Sequence, residues 1–127
     1  MMKRLLYVLL VAVFMASAGW AQAEPVSESK NYRVFLSELP PLNKAYRHYP
    51  PTALKRNVSG MGEIECRWTI DGRLTECRVL REAPEGYRFG EATAEIFEKY
   101  ARVDVHATQN QPVVPETTKL RFNWILE

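Results

Sequence analysis

Two cysteines and two histidines are the side chains in this sequence best suited to covalent or metal chemistry. Cys66 and Cys77 lie eleven positions apart, which is not the C-x-x-C spacing of a thioredoxin-like redox motif. The two cysteines and the two histidines, His48 and His106, lack the close paired spacing of a structural zinc site, and Asp104 two residues before His106 is a weak metal signal. We therefore expect surface histidines, no metal and no cofactor.

Hydroxyl and carboxylate side chains form no catalytic pattern. Ser59 and Thr52 lack the G-x-S-x-G context of a hydrolase nucleophile, and no pair of carboxylates has a distinctive setting. No run of Lys and Arg exceeds two residues, which argues against a nucleic-acid partner. We expect a binding protein rather than an enzyme, with no catalytic residues and no nucleic acid among its partners.

The first 23 residues have the pattern of an export signal. A basic pair precedes an apolar run over residues 5–16, and a small-x-small site, Ala-Gln-Ala, ends at Ala23. We predict that residues 1–23 are a signal peptide and that the protein is periplasmic. The alternative is an uncleaved inner-membrane anchor with the rest of the chain in the periplasm, because the longer run over residues 5–21 is about long enough to span a thin bilayer.

The rest of the chain has the size and composition of one small globular domain. In the full sequence of 127 residues, 46% are hydrophobic and 25% charged, which is typical of a folded domain. Without Lys3 and Arg4 the chain carries fifteen basic and fifteen acidic residues, so its net charge gives no reason to expect a polyanion. An exported chain with two cysteines makes a structural disulfide between Cys66 and Cys77 the default expectation.

Residues 62–82 have the pattern of a β-hairpin. Apolar residues at positions 64, 66, 68 and 70 alternate with polar ones, as in a strand with one buried face. Asp71-Gly72 follows, a dipeptide that tolerates the positive φ angles of tight hairpin loops. Each of the two strands carries one cysteine, so a disulfide would crosslink the hairpin.

The hairpin register has two possible forms. A two-residue loop places Cys66 directly opposite Cys77, close to the separation that a disulfide needs, but it turns Leu74 toward solvent. A three-residue loop pairs Trp68 with Leu74 and requires a bulge near residues 75–76 to return Cys77 to the inner face. We prefer the second form because it buries Leu74.

Further elements surround the hairpin. Residues 49–57 predict a short helix after a prolyl start, and residues 89–100 predict an amphipathic helix. We expect a polar loop over residues 103–116, in which positions 113–114 have strand character, and a terminal strand over residues 120–126. The order is helix, strand, strand, helix, strand, which predicts an α+β fold: a three-stranded antiparallel sheet packed by helices. Its core is expected to contain Trp68, Phe89, Ile96, Phe122 and Trp124.

From residue 49 to residue 126 the sequence resembles the C-terminal domain of TonB, the periplasmic energy transducer of Gram-negative bacteria. The motifs that carry the resemblance are Tyr49-Pro50, Gly60-x-Gly62, Asp71-Gly72-Arg73-Leu74, Phe89-Gly90, Gln111-Pro112-Val113 and Leu120-x-Phe122. The resemblance implies a TonB C-terminal-like domain over residues 49–127, preceded by an N-terminal segment or linker over residues 24–48. In the most similar members each hairpin strand carries a cysteine, as here.

That family domain adds the N-terminal box of an outer-membrane transporter as a strand to its sheet edge and transmits force from an inner-membrane motor. The long Pro-rich spacer of classical members is not found in residues 24–48. This segment is 25 residues long and reaches only about 85 Å when fully extended. We therefore interpret the chain as a free-standing periplasmic member of this type, and energy coupling as a possible further role.

The terminal strand is the expected contact with a partner. If it pairs with only one hairpin strand, its other side offers free backbone groups for an added strand. Dimerisation through the same edge is the main alternative use, and a small exported inhibitor or adaptor of an envelope enzyme is the alternative function. Tyr49 and Pro50 match family positions near the transporter, yet they suit ordinary packing equally well. The candidate partner-binding residues are Tyr49, Pro50, Leu120, Arg121, Phe122, Asn123, Trp124 and Ile125.

The signal-peptide interpretation makes the first testable prediction. N-terminal sequencing of the protein from the periplasmic fraction should find Glu24 as the first residue, because the small-x-small site follows a short apolar run. An intact Met1 in the membrane pellet would contradict this prediction and support the anchored form.

Overall fold

The computed structural model describes residues 31–127. The expected signal peptide, its cleavage site and the first part of the 24–48 segment lie outside the described residues. Within residues 31–127, no helix is both long enough and apolar enough to cross a bilayer. The elements are β1 Leu36–Glu38, α1 Leu42–Ala45, a 3-10 turn Tyr46–His48, α2 Pro51–Lys55, β2 Gly60–Trp68, β3 Leu74–Ala83, α3 Phe89–Tyr100, β4 Arg102–Val103, α4 Val105–Gln109 and β5 Thr117–Trp124.

The main sheet has three antiparallel strands in the order β3-β2-β5. Strand β2 is central and pairs with β3 on one side and β5 on the other. Helix α3 packs against β2 and β3. The α+β fold expected from the sequence is therefore confirmed, and the terminal strand pairs with only one strand of the hairpin.

The hairpin has the preferred register. Trp68 pairs with Leu74, and the β2–β3 register then shifts between Glu65 and Arg67. The extra residue on the β3 side is accommodated at Glu76, which has a φ of 49°. This bulge turns both Leu74 and Cys77 inward.

The two cysteines form a disulfide that crosslinks the hairpin. Cys66 in β2 and Cys77 in β3 are bonded, with Cα atoms 4.0 Å apart. Cys66 has no solvent exposure, and Cys77 packs against the core beside it. The disulfide expected from the export signal and the hairpin pattern is therefore confirmed.

The turn of the hairpin departs from the strand pattern at Ile70. The alternation in sequence placed this residue on the inner face, but its side chain is 78% exposed because the strand ends at Trp68. Gly72 has a φ of 85°, a conformation that glycine adopts without strain. The Thr69 hydroxyl donates to the Asp71 carboxylate, and this hydrogen bond lowers the pKa of Asp71.

Helix α3 lies close to the sheet because β2 has a glycine beneath it. A Cβ atom at Gly62 would lie only 2.7 Å from the Phe89 carbonyl oxygen and would also collide with the Thr93 hydroxyl. The helix is amphipathic, as the sequence predicted, and its buried residues face the sheet. These buried residues are Phe89, Gly90, Ala92, Thr93, Ile96 and Phe97.

The core is centred on Trp124 at the end of β5. Its side chain is fully buried, and its ring packs edge-on against Tyr49, with centroids 5.4 Å apart, and against Phe122 at 4.7 Å. The indole N–H donates to the Thr93 hydroxyl at 2.9 Å, and that hydroxyl donates to the Phe89 carbonyl at 2.7 Å. Of the other residues expected in the core, Phe89 and Ile96 are fully buried, while Trp68 and Phe122 are half-buried around it.

Residues 31–48 pack with the rest of the domain in one compact unit that spans Asn31–Glu127. Strand β1 pairs with the two-residue strand β4, and Val34 and Ala45 are buried in the core. Part of the segment that sequence reasoning assigned to an N-terminal segment or linker is therefore integral to the fold. The strand within it, Leu36–Glu38, is only three residues long.

The polar loop predicted over residues 103–116 is not entirely irregular. It contains helix α4, whose first turn is capped by the Asp104 carboxylate accepting from the Ala107 N–H at 3.0 Å. Positions 113–114 are not in a strand. The terminal strand begins at Thr117 and ends at Trp124, so Ile125 lies just beyond it.

The bond between Trp124 and Thr93 makes the second testable prediction. Thr93→Val keeps the size of the side chain but removes the acceptor for a fully buried indole N–H. We expect it to lower the free energy of unfolding by about 1–3 kcal/mol, measured by urea denaturation followed by circular dichroism.

A double-mutant cycle supplies the control. Trp124→Phe removes the donor, so Thr93→Val should cost much less in that background than in the original protein. An equal cost in both backgrounds would show that the loss comes from helix packing and not from this hydrogen bond.

Candidate functional site

The side of β5 that faces away from β2 is an open edge of the sheet. Strand β5 pairs with β2 along its whole length without a register shift, and it has no other strand partner in the described part of the chain. Unpaired backbone groups on such an edge are a template for an added strand.

The hydrogen-bond alternation identifies which residues of β5 face this edge. The Thr69 N–H donates to the Arg73 carbonyl at 2.9 Å. The backbone N–H and C=O groups of the odd-numbered residues of β2 therefore point toward β3, and those of the even-numbered residues point toward β5. Because Ile64 lies opposite Leu120, the backbone N–H and C=O groups of the even-numbered residues of β5 point toward β2. The outer edge of β5 is therefore formed by the backbone N–H and C=O groups of Thr117, Lys119, Arg121 and Asn123.

Contacts just beyond the strand agree with this assignment. The Leu126 N–H points back toward the β2 side and donates to the Ser59 hydroxyl at 2.9 Å. Ile125 has the opposite orientation. Its carbonyl accepts from the Tyr46 hydroxyl at 2.9 Å, and its N–H donates to the same hydroxyl at 3.4 Å. Tyr46 therefore occupies the position after Asn123 and ends the outer edge of β5.

The two faces of β5 differ in chemistry. On the face that packs toward α3, Leu120 and Phe122 are half-buried against the core. On the opposite face, Lys119, Arg121 and Asn123 are exposed. A strand added to this edge would thus meet apolar side chains on one face and polar, mainly cationic ones on the other.

The positive charge at this edge is weakly neutralised. Lys119 makes no ion pair with any residue in the range 31–127, and Arg121 lies 3.8 Å from a carboxylate oxygen of Glu63. Glu63 has a nearer partner, since Arg81 contacts the same oxygen at 2.8 Å. Lys119 and Arg121 consequently remain available to an acidic partner.

Strand β3, at the opposite side of the sheet, is a less regular edge. Its pairing with β2 shifts twice, between Glu63 and Ile64 and again between Glu65 and Arg67. The backbone N–H of Cys77 already donates to the Glu98 carboxylate at 3.2 Å. Bulges and occupied donors of this kind protect an edge from pairing, so β5 is the better template.

The structure divides the sequence-predicted contact residues between surface and core. Tyr49 and Pro50 are buried; the Tyr49 side chain is 4% exposed and its hydroxyl donates to the Val58 carbonyl at 2.6 Å. This burial raises the pKa of the Tyr49 phenol. Trp124 is also buried, so the side chains of Tyr49 and Trp124 are not accessible to a partner. Their packing supports the strand that carries the outer edge.

Tyr46 is a site residue that sequence reasoning missed. It stacks on Tyr49, with ring centroids 6.0 Å apart, and meets Trp124 edge-on at 6.3 Å. These contacts aim its hydroxyl at the backbone of Ile125. Its proximity to the Tyr49-Pro50 pair was the only sequence signal, and this gave no indication of a contact across 79 positions.

His48 is not the surface histidine that was expected. Its side chain is 17% exposed, its Nε2 lies 2.9 Å from the Tyr100 hydroxyl and its Nδ1 lies 3.1 Å from the Glu95 carboxylate. These contacts tie the 3-10 turn to helix α3 beside a shallow pocket of about 320 Å³ that also includes Pro50. His106, in contrast, is exposed on α4.

Comparisons with known proteins identify the family. The model of a family described as Gram-negative bacterial TonB protein C-terminal matches residues 45–126. Among solved structures, the chain is similar to the solution NMR structure of the Pseudomonas aeruginosa TonB C-terminal domain, with 22% identity, a TM-score of 0.49, and coverage of 72% of this chain and 87% of that chain. No curated protein matches the chain. Because the family model covers well over half of its residues, this chain belongs to the TonB C-terminal family.

Proposed function

We propose that this protein acts in the periplasm as a module that binds a TonB-dependent outer-membrane transporter, or another envelope protein, by strand addition. The single observation that carries the proposal is the outer edge of β5, a regular strand paired on one side only. Family membership supports the kind of partner, because TonB C-terminal domains are non-enzymatic modules that interact with outer-membrane transporters. Residues 1–23 would serve as the export signal.

Strand addition supplies affinity through the backbone. Each outward residue of β5 offers one N–H and one C=O, and a main-chain hydrogen bond contributes about 0.5–1.5 kcal/mol net. Several such bonds suffice for reversible binding of a short peptide, while side chains on the two faces of the strand determine its sequence. A partner that exchanges during transport needs affinity of this moderate kind.

Energy coupling would depend on how β5 is held. Force applied along an added strand would pass from β5 to β2 through their continuous ladder of paired residues, which extends from Gly60–Trp124 to Arg67–Thr117. It would also pass from β5 to helix α3 through the hydrogen bond between Trp124 and Thr93. These connections favour a domain that can bear load at its outer edge. We propose energy-coupled transport as the process in which such a contact is used.

Substitution of Asn123 tests the proposal. Its N–H faces the outer edge, so Asn123→Pro removes a donor from that edge and no bond to β2. We expect Asn123→Pro to weaken binding to transporters from outer-membrane extract about tenfold relative to Asn123→Ala. The measurement is a pull-down with each immobilised variant, followed by titration of the recovered transporter.

A proline at the next position is the matched control for stability. The Phe122 N–H faces β2, so Phe122→Pro should destabilise the fold, whereas Asn123→Pro should unfold close to Asn123→Ala. If the folded Asn123→Pro variant binds the transporter as tightly as Asn123→Ala, the contact does not use the outer edge of β5. Recovery of an envelope hydrolase in place of transporters would instead support the inhibitor function.

A further inference from the structure

We propose that the face of the sheet opposite helix α3 binds the surface of a membrane that contains anionic phospholipid. A Cβ atom at Gly62 of β2 would point toward α3, so the alternating residues Glu63 and Glu65 point to the opposite side. These two residues and the side chains beside them on β3 and β5 form the charged face. Binding there would use side chains on a face and would not depend on the backbone groups at the outer edge of β5.

The register of the sheet aligns the charged face in two rows. In each row a carboxylate of β2 lies between one cation from β3 and one cation from β5. The first row is Arg81, Glu63 and Arg121, and the second row is Arg78, Glu65 and Lys119. Four cations against two carboxylates leave the two rows with a net charge of +2. The two rows therefore form a compact positive patch.

The carboxylates of the two rows are less exposed than the arginines that bind them. Arg78 and Arg81 are 71% and 62% exposed, whereas Glu65 and Glu63 are 17% and 30% exposed. Arg78 contacts Glu65 at 2.6 Å, and Arg81 contacts Glu63 at 2.8 Å. A guanidinium group has five N–H donors, and these contacts occupy only some of them. The carboxylates thus hold the arginines in place while donors remain for a phosphate group.

The cations of β5 are less neutralised than those of β3. Lys119 has no ion pair within residues 31–127, and Arg121 lies 3.8 Å from the Glu63 oxygen that Arg81 already contacts. Both cations of β5 can therefore contact an anion while the arginine–glutamate pairs between β3 and β2 stay intact.

The patch ends at Arg67, the next residue of β2 on the same face. Its guanidinium lies 3.8 Å from Glu76 and 3.9 Å from Glu116. Two carboxylates against one cation make this end of the face unfavourable for an anion. The two rows, and not the whole face, therefore define the site.

A lipid surface suits this patch better than another protein does. Protein interfaces depend on buried aromatic and aliphatic anchors, whereas the two rows contain only charged side chains. Anionic lipids attract clustered Lys and Arg side chains without insertion into the bilayer. Neighbouring strands are about 4.8 Å apart, so the cations of β3 and β5 lie close enough together to approach a flat surface at the same time.

Cosedimentation with lipid vesicles tests this inference on the protein isolated from the periplasmic fraction. One set of vesicles is phosphatidylcholine alone, and in the other about a third of the lipid is phosphatidylglycerol. A net charge of +2 should give about thirtyfold tighter binding to the anionic vesicles at low salt, and high salt should remove the difference. Equal binding to both sets at low salt would overturn the inference.

Three variants locate the contact. Lys119→Gln/Arg121→Gln removes the cations of β5 and should reduce binding of anionic vesicles to the level of neutral ones. Glu63→Gln adds one positive charge to the patch and should tighten binding about fivefold. The matched control Lys55→Gln/Arg56→Gln removes two cations from exposed positions outside the sheet, and it should bind as the original protein does.

The outcomes also separate a membrane contact from a protein contact. If the control variant weakens binding as much as Lys119→Gln/Arg121→Gln does, the net charge of the protein and not the charged face is responsible, and the inference is wrong. It is also wrong if Glu63→Gln does not tighten binding. If no vesicle is bound but Lys119→Gln/Arg121→Gln loses affinity for a transporter, the face contacts protein and the membrane inference is wrong. Strand addition is decided separately, by the transporter experiment with Asn123→Pro.

Discussion

The burial of Trp124, with its indole N–H bonded to Thr93, is the interaction on which the rest of the structure depends. It fixes the end of β5 to helix α3, while β2 holds the same strand by a regular ladder. Because α3 covers one face of β5 at Trp124 and β2 pairs with one of its sides, β5 needs no second strand on its outer edge to stay folded. Stability and an open edge are thus compatible in this small domain.

The same core determines which edge is open. Tyr49 packs on Trp124, Tyr46 stacks on Tyr49, and the Tyr46 hydroxyl reaches the backbone of Ile125. On the far side of the sheet, bulges and the bond from the Cys77 N–H to Glu98 make β3 irregular. The regular outer edge of β5 therefore lies between a tyrosine boundary and the loop that precedes the strand.

Local patterns allowed the hairpin, its bulge, the disulfide, helix α3 and the terminal strand to be predicted from the sequence. Each depends on residues close together in the chain, such as the inward pair Leu74 and Cys77 that requires a bulge. The β1–β4 pairing and the Tyr46 contact join distant, aperiodic segments, so they left no local signal. Helix α4 is too short for periodicity, and Asp104 as its cap was the only cue. For the site, sequence reasoning identified the edge strand, but burial of Tyr49 and Trp124 emerged only from the fold.

Amide hydrogen exchange along β5, measured by NMR before and after a transporter segment is added, tests the central claim most directly. In the free protein the Lys119, Arg121 and Asn123 amides should exchange rapidly and the Leu120 and Phe122 amides slowly, because only the latter are bonded to β2. Binding should protect the three outward amides. Protection that appears on β3 instead, with these three amides still exchanging rapidly, would contradict the account.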